Sequence, residues 1–325
     1  RMGGRGPAGR CYARGVWSRV ALLGSLVGCG FQASALAPVD AAVDALDAGS
    51  PGCWPRWRAH DVVVSGVAQV PALVGGFLDT RDPWLSGDGA RLYVSQHLTS
   101  PPGGADIFMA ARTGPGPADF GAPTKVTGLS TAADDGRPSL TADERTAVIS
   151  TKVGPRFQVE LATRPDRDGA FSPLSTTGVE NVSSPAADAF DPTLTATGDA
   201  LYLAPRKGAE PQHIVIAART ATGYATPTLV TELNSAGFDA DPAPSPDGLV
   251  MLLSSTRAGA ATKVDLYYAT RPTATAAFEA PRPIPGVNGP DNDGDPVLSA
   301  DGCTLYFASD RNSPVFHVYS AQIAR

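Results

Sequence analysis

The chain has 325 residues, with 26 Lys+Arg against 32 Asp+Glu and a net charge of -6. Its acids are lopsided, 26 Asp against 6 Glu, with only 4 Lys, while Gly 35 and Pro 30 together make up a fifth of the chain. Glu and Lys clothe helices, whereas Asp, Gly and Pro end elements and make turns, so a helical bundle or helix-clad parallel sheet is excluded, and the acidic balance excludes a nucleic-acid binder.

In chain order, Arg1, Arg5, Arg10, Arg14 and Arg19 are the sole charges of the first 28 residues and precede a short apolar run from Val20 to Gly28. A basic region, a short apolar stretch and small residues form an export signal, too short to span a bilayer. Leu26-Val27-Gly28-Cys29 resembles the lipobox of bacterial lipoproteins, which implies a leader over 1–28, lipidation at Cys29 and an acidic mature chain of net charge -11. The expected address is the bacterial cell envelope, lipid-anchored at the outer membrane, touching the membrane through the lipid alone. Residues 29–52, rich in Ala, Asp, Pro and Gly, read as a flexible tether. Cys11 leaves with the leader and Cys29 takes the lipid, so Cys53 and Cys303 remain as the expected disulfide of an exported protein.

From residue 53 onward one unit recurs. Pro83, Pro138, Pro192, Pro242 and Pro296 are spaced by 55, 54, 50 and 54 residues. Nine residues after each comes an apolar strand: Leu92-Tyr93-Val94, Ala147-Val148-Ile149, Leu201-Tyr202-Leu203, Met251-Leu252-Leu253 and Leu305-Tyr306-Phe307. A hydroxyl lies three residues after each Pro, and a turn pair five and six after it, Asp-Gly in three copies, which is a strong hairpin signal. A third strand follows (106–112, 157–164, 213–219, 265–271, 317–323), and a fourth is announced by an aromatic and a Pro: Phe120/Pro123, Phe171/Pro173, Tyr224/Pro227, Phe278/Pro281. Four short strands per unit of about 53 residues is a propeller blade. The fold class is therefore all-β: a five-bladed propeller of four-stranded blades over residues 53–325, with units starting near 79, 134, 188, 238 and 292. The fifth unit ends after its third strand, and the segment from Trp57 through Asp61-Val62-Val63-Val64 is expected to supply the fourth and close the ring.

Asp295-Pro296-Val297-Leu298-Ser299-Ala300-Asp301-Gly302, running on to Leu305-Tyr306-Phe307, resembles the TolB-type WD40-like β-propeller repeat. Copies two and three depart from it at Arg137 and Thr197. The resemblance implies an exported binding scaffold; a tether in place of an N-terminal α/β domain, and five units in place of six, argue against carrying over TolB's particular partners.

Acids recur at the anchor prolines, at Asp82, Asp191, Asp241 and Asp295, with Asp79, Asp135, Asp188, Asp239 and Asp293 just upstream. An acid repeated in nearly every blade reads as a structural side chain that caps backbone N–H groups; a cation site and a glycosidase carboxylate set are the sharper alternatives. The EF-hand-like run 291–295 lacks the required Gly and Glu, and His60, His97, His213 and His317 have no ligand-spaced companions. No nucleophile elbow, P-loop or dinucleotide fingerprint occurs. The leading expectation is a monomeric, non-enzymatic scaffold without cofactor that binds an envelope protein or a peptidoglycan-associated partner; the alternative is a carbohydrate-binding or glycoside-cleaving propeller.

Overall fold

The computed structural model describes residues 52–325 apart from 76, 99–103, 185 and 258–262. The leader, Cys29 and the tether up to residue 51 lie outside the described residues. Five antiparallel sheets follow one another along the chain. Blade 1 is β2 (Phe77–Leu85), β3 (Arg91–Leu98), β4 (Ala105–Ala111) and β5 (Thr124–Lys125); blade 2 is β6 (Asp135–Leu140), β7 (Thr146–Val153) and β8 (Arg156–Thr163). Blade 3 is β9 (Thr193–Leu194), β10 (Ala200–Leu203), β11 (Val215–Ala218) and β12 (Thr228–Leu229); blade 4 is β13 (Asp239–Pro244), β14 (Val250–Ser255), β15 (Asp265–Thr270) and β16 (Arg282–Pro283). Blade 5 is β17 (Asp293–Leu298), β18 (Thr304–Ser309) and β19 (His317–Ile323), completed by β1 (Val64–Gln69), which pairs antiparallel with β19. The N-terminal strand thus closes the ring and covers an open edge.

The apolar triplets do not alternate because both faces of each sheet are covered by neighbouring blades. Leu92 and Val94 pack toward blade 5 with Tyr306 and Val318, while Tyr93 between them packs toward blade 2 with Leu140 and Ile149. The same exchange repeats around the ring, so the core is a set of inter-blade clusters; β14 is buried at every position.

Each hairpin turn is held by the hydroxyl and acid of the repeat. Ser86, Thr141, Ser245 and Ser299 donate to Asp88, Asp143, Asp247 and Asp301 at 2.6–2.7 Å. In blade 3, Thr195 reaches Asp199 across the turn, which explains how Thr197 can stand where the other turns have an acid. The carbonyl six residues after each anchor Pro is also clamped by a side chain. Arg112, Arg164 and Arg271 donate Nε–H to Gly89, Glu144 and Gly248, and the Tyr224 hydroxyl donates to Gly198. In blade 5 the donor comes from the other end of the chain: Trp57 Nε1 bonds the Gly302 carbonyl at 2.9 Å.

Two details differ from the sequence reading. Trp57 does not lead the closing strand; it sits in a one-and-a-half-turn helix, α1 (Trp54–Ala59), begun by Pro55, and the strand starts at Val64. Burial decides this: the indole is fully enclosed, edge-on to Tyr268 at 5.1 Å, and Cys53 before it is bonded to Cys303 with Cα atoms 5.0 Å apart. Blade 2's fourth strand shrinks to a bridge, Leu161 with Ser175, beside Pro173, which has no N–H to give.

Candidate functional site

In blades 1, 2, 4 and 5 the inner strand carries a bulge, and the residue before the anchor Pro together with that Pro forms it: two residues face one on the partner strand between Arg81 and Trp84, Gly136 and Ser139, Ala240 and Ala243, and Gly294 and Val297. The first bulge residue is left-handed, with φ of 53° at Asp82, 58° at Arg137, 52° at Asp241 and 51° at Asp295, and Asp191 of blade 3 matches them at 56°. Asp tolerates this conformation better than most residues, and Arg does not. Five non-glycine residues held there store strain, of order 1–3 kcal/mol each, a pattern that clusters at functional sites. A bulge re-aims side chains, and these five residues, with their prolines, line one axial cavity of about 60 Å3.

The ring is knit from blade to blade. Asp82 Oδ2 accepts the Arg137 N–H at 3.2 Å, Asp241 Oδ2 the Asp295 N–H at 3.2 Å, and Asp295 Oδ2 the Asp82 N–H at 3.4 Å. Asp191 instead takes the Arg137 guanidinium and Gln212 Nε2. The acids therefore do accept backbone N–H groups, but those of the adjacent blade, and they converge instead of capping separate turns.

Burial and crowding raise the proton affinity of two of these acids. Burial pushes Asp191 up to about 7, against the pull of Arg137 and helped by Asp241 and Asp82. Burial, then Asp241 and Asp82, also raises Asp295 well above the carboxylate range. Arg137 is desolvated, yet Asp191, Asp82, Asp295 and Asp241 together raise its pKa and keep it charged. The sequence reading noted Arg137 only as a departure; its place in the repeat was the signal that it belongs to the ring.

The upstream acids lie elsewhere: Asp79 within β2, Asp135, Asp239 and Asp293 at the first residue of β6, β13 and β17, and Asp188 ahead of β9. Asp239 and Asp293 are fully buried and hold Arg257 and Arg311, Asp188 meets Arg156 and Arg206, and Asp79 holds Arg81. A second cavity, about 240 Å3, lies between blades 1 and 2, walled by Asp79, His97, Asp134 and Asp135 and joined to the axis through Asp82 and Arg137, which line both. A larger one, about 480 Å3, opens at the hairpin turns beside Trp54 and Tyr306, but its Asp88, Asp247 and Asp301 are tied to turn hydroxyls. Among the described residues, no three His, Cys, Asp or Glu side chains are placed to hold a metal ion.

No protein-family model and no curated protein matches the sequence. Among solved structures, the chain is similar to the catalytic domain of a GH62 α-L-arabinofuranosidase from Coprinopsis cinerea, at 12% identity and TM-score 0.53, covering 81% of this chain and 96% of that one. A GH43_1 enzyme from Xanthomonas citri matches at 14% identity and TM-score 0.50, over 82% and 92% of the two chains. TolB from Acinetobacter baumannii matches at 13% and TM-score 0.44, over 75% of this chain and 54% of that one, a likeness of propeller architecture alone. The expectation of a non-enzymatic protein is thereby corrected: the solved structures that share this architecture at TM-scores of 0.50 or above include glycoside hydrolases, and the axial acids converge instead of standing apart. At these identities the shared property is the β-propeller fold.

Proposed function

We propose that the protein is a carbohydrate-active propeller that seats a saccharide between blades 1 and 2 and presents a glycosidic edge to the axial carboxyl groups. The observation that carries this reading is Asp191, buried on the axis, bonded to Arg137 and poised at about 7. A carboxyl group that exchanges its proton near neutrality suits general acid–base work, and a pair of carboxyl groups is the pattern of glycoside hydrolysis. Asp191 is the proton donor in this reading, and Asp82 or Asp241 the second carboxyl group. The axial cavity of about 60 Å3 admits a water or a single polar group, so the sugar ring occupies the adjoining 240 Å3 cavity. The neighbouring hydrolase folds support the class of chemistry and leave the sugar open.

The test is turnover of an oligosaccharide panel by the full chain. Asp191→Asn is expected to lower kcat/KM by about 100-fold or more, the usual worth of a general acid. Equal turnover by wild type and Asp191→Asn, or no turnover and no glycan binding by wild type, rejects the proposal. The leader and lipobox support an envelope-anchored placement for this activity.

A further inference from the structure

The upstream acid of blade 2 stands apart from its four counterparts. In blade 4, Arg257 spans three acceptors: Nε donates to Ser255 Oγ at 2.9 Å, and Nη2 to Asp239 Oδ1 at 2.6 Å and to the Leu233 carbonyl at 2.5 Å. In blade 5, Arg311 does the same with Ser309, Asp293 and Val287 at 2.9, 2.5 and 2.8 Å. The other oxygen of the acid is held locally: Asp239 Oδ2 takes the Ser235 N–H at 2.5 Å and hydroxyl at 2.8 Å, and Asp135 Oδ2 takes the same pair from Thr131 at the same distances. The scaffold of blade 2 is thus built like that of blade 4, with Thr151 opposite Asp135 as Ser255 is opposite Asp239. The arginine is missing; fifteen residues after the anchor Pro, where blades 4 and 5 have Arg257 and Arg311, stands Val153. Asp135 is 0% exposed, and among the described residues neither its Oδ1 nor Thr151 Oγ1 has a hydrogen-bond partner.

A buried carboxylate oxygen without a donor is costly, and pairing it with a cation recovers much of that cost. Asp135 lines the 240 Å3 cavity, whose other walls include Asp79, Asp82 and Asp134. Facing it are Arg81, turned to Asp79, Lys152, turned to Asp134 at 3.1 Å, Arg137, turned to Asp191, and His97. Each of these cations is therefore turned to another acid, Arg81 and His97 sharing Asp79, and Asp135 is left over. The geometry points to a binding subsite for a cationic nitrogen group, an ammonium or guanidinium carried by a ligand, which docks on Asp135 Oδ1 as Arg257 and Arg311 dock on their acids. The subsite does not depend on glycan cleavage at the axis.

The experiment is calorimetric titration of the full chain with methylguanidinium, glucosamine and, as the neutral control, glucose. Wild type is expected to bind a cation, at about millimolar affinity for so small a group, and to bind glucose more weakly. Asp135→Asn should weaken cation binding by about tenfold or more. Val153→Arg, which restores the repeat's own guanidinium two residues beyond Thr151 on the same face of β7, should abolish binding while raising the unfolding midpoint. Binding of glucosamine assigns the group to an amino sugar, and binding of methylguanidinium alone to an arginine-like side chain. Absence of cation binding by wild type, or equal affinity in wild type and Asp135→Asn, overturns the inference. Asp191→Asn retains cation binding, so loss of glycan turnover in that variant bears on the axial reading alone.

Discussion

The axial ring makes a pH signature that can be read through stability. Asp191 is 5% exposed and its carboxyl is raised from 3.8 to about 7 in the folded protein. The folded state therefore holds a proton, between those two values, that the unfolded chain has released, so the stabilising contribution is complete below about pH 4 and is lost as pH rises through about 7. A shift of that size corresponds to about 4 kcal/mol at 1.36 kcal/mol per unit; since the neighbouring acids share the effect, about 2–4 kcal/mol is the range to seek. The perturbation is Asp191→Asn, which keeps the left-handed backbone acceptable and leaves an oxygen for Arg137. The assay is urea unfolding followed by tryptophan fluorescence at several pH values from about 4 to 8, disulfide intact. Wild type should lose stability across this window relative to the variant, whose curve is flatter by the stated amount; a constant offset between the curves reports only the altered Arg137 contact. Parallel pH profiles for the two proteins would refute the assignment of a raised, buried carboxyl at this position.

Two further outcomes are expected. Trp57→Phe keeps an aromatic ring in the inter-blade core but leaves the Gly302 carbonyl without its donor, a loss of about 1–3 kcal/mol measurable as a lower urea midpoint; an unchanged midpoint would show that the indole hydrogen bond does not hold the closing blade. Metabolic labelling of the full chain with a palmitate analogue should mark the wild type and not Cys29→Ser, and label that survives the substitution would remove the proposed anchor.

The blades were legible because a fixed offset from each anchor Pro to its apolar triplet survives in all five copies, and because turn acids and hydroxyls keep their spacing. Ring closure was legible too, from a unit that lacks its fourth strand at one end of the chain and a spare strand at the other. What the spacing could not show is where the anchor acids point. A residue before proline is expected to be extended, yet at Asp82, Asp241 and Asp295 the chain is left-handed and bulged, and it is the bulge that turns the carboxyl toward the axis. An acid present in four of five blades was expected to cap backbone N–H groups, and Asp82, Asp241 and Asp295 do so, but across blades, because rotation about the axis brings equivalent positions near that axis together and leaves equivalent positions at the rim apart. Among the upstream acids, Asp135, Asp239 and Asp293 accept the backbone N–H four residues before them, whereas Asp79 and Asp188 accept those of Phe316 and Phe157 in the neighbouring blade. The two sets differ by two or three residues in sequence and by their distance from the axis in space.

A ring of identical blades offers a ligand five equivalent surfaces, so chemistry directed at one bond requires that the symmetry be broken at a definite place. Both departures described above fall in blade 2. At the bulge, where four blades carry Asp, blade 2 carries Arg137; at the upstream position, where Asp79, Asp188, Asp239 and Asp293 each hold an arginine, Asp135 holds none. Arg137 stands on the axis, where it lowers the energy of an ionised Asp191, and Asp135, buried at the adjoining cavity, has no arginine. The two changes are complementary in charge and adjacent in space, on either side of one cavity wall formed by Gly136 and Arg137. Both changes border the 240 Å3 cavity between blades 1 and 2, which meets the axial cavity at Asp82 and Arg137.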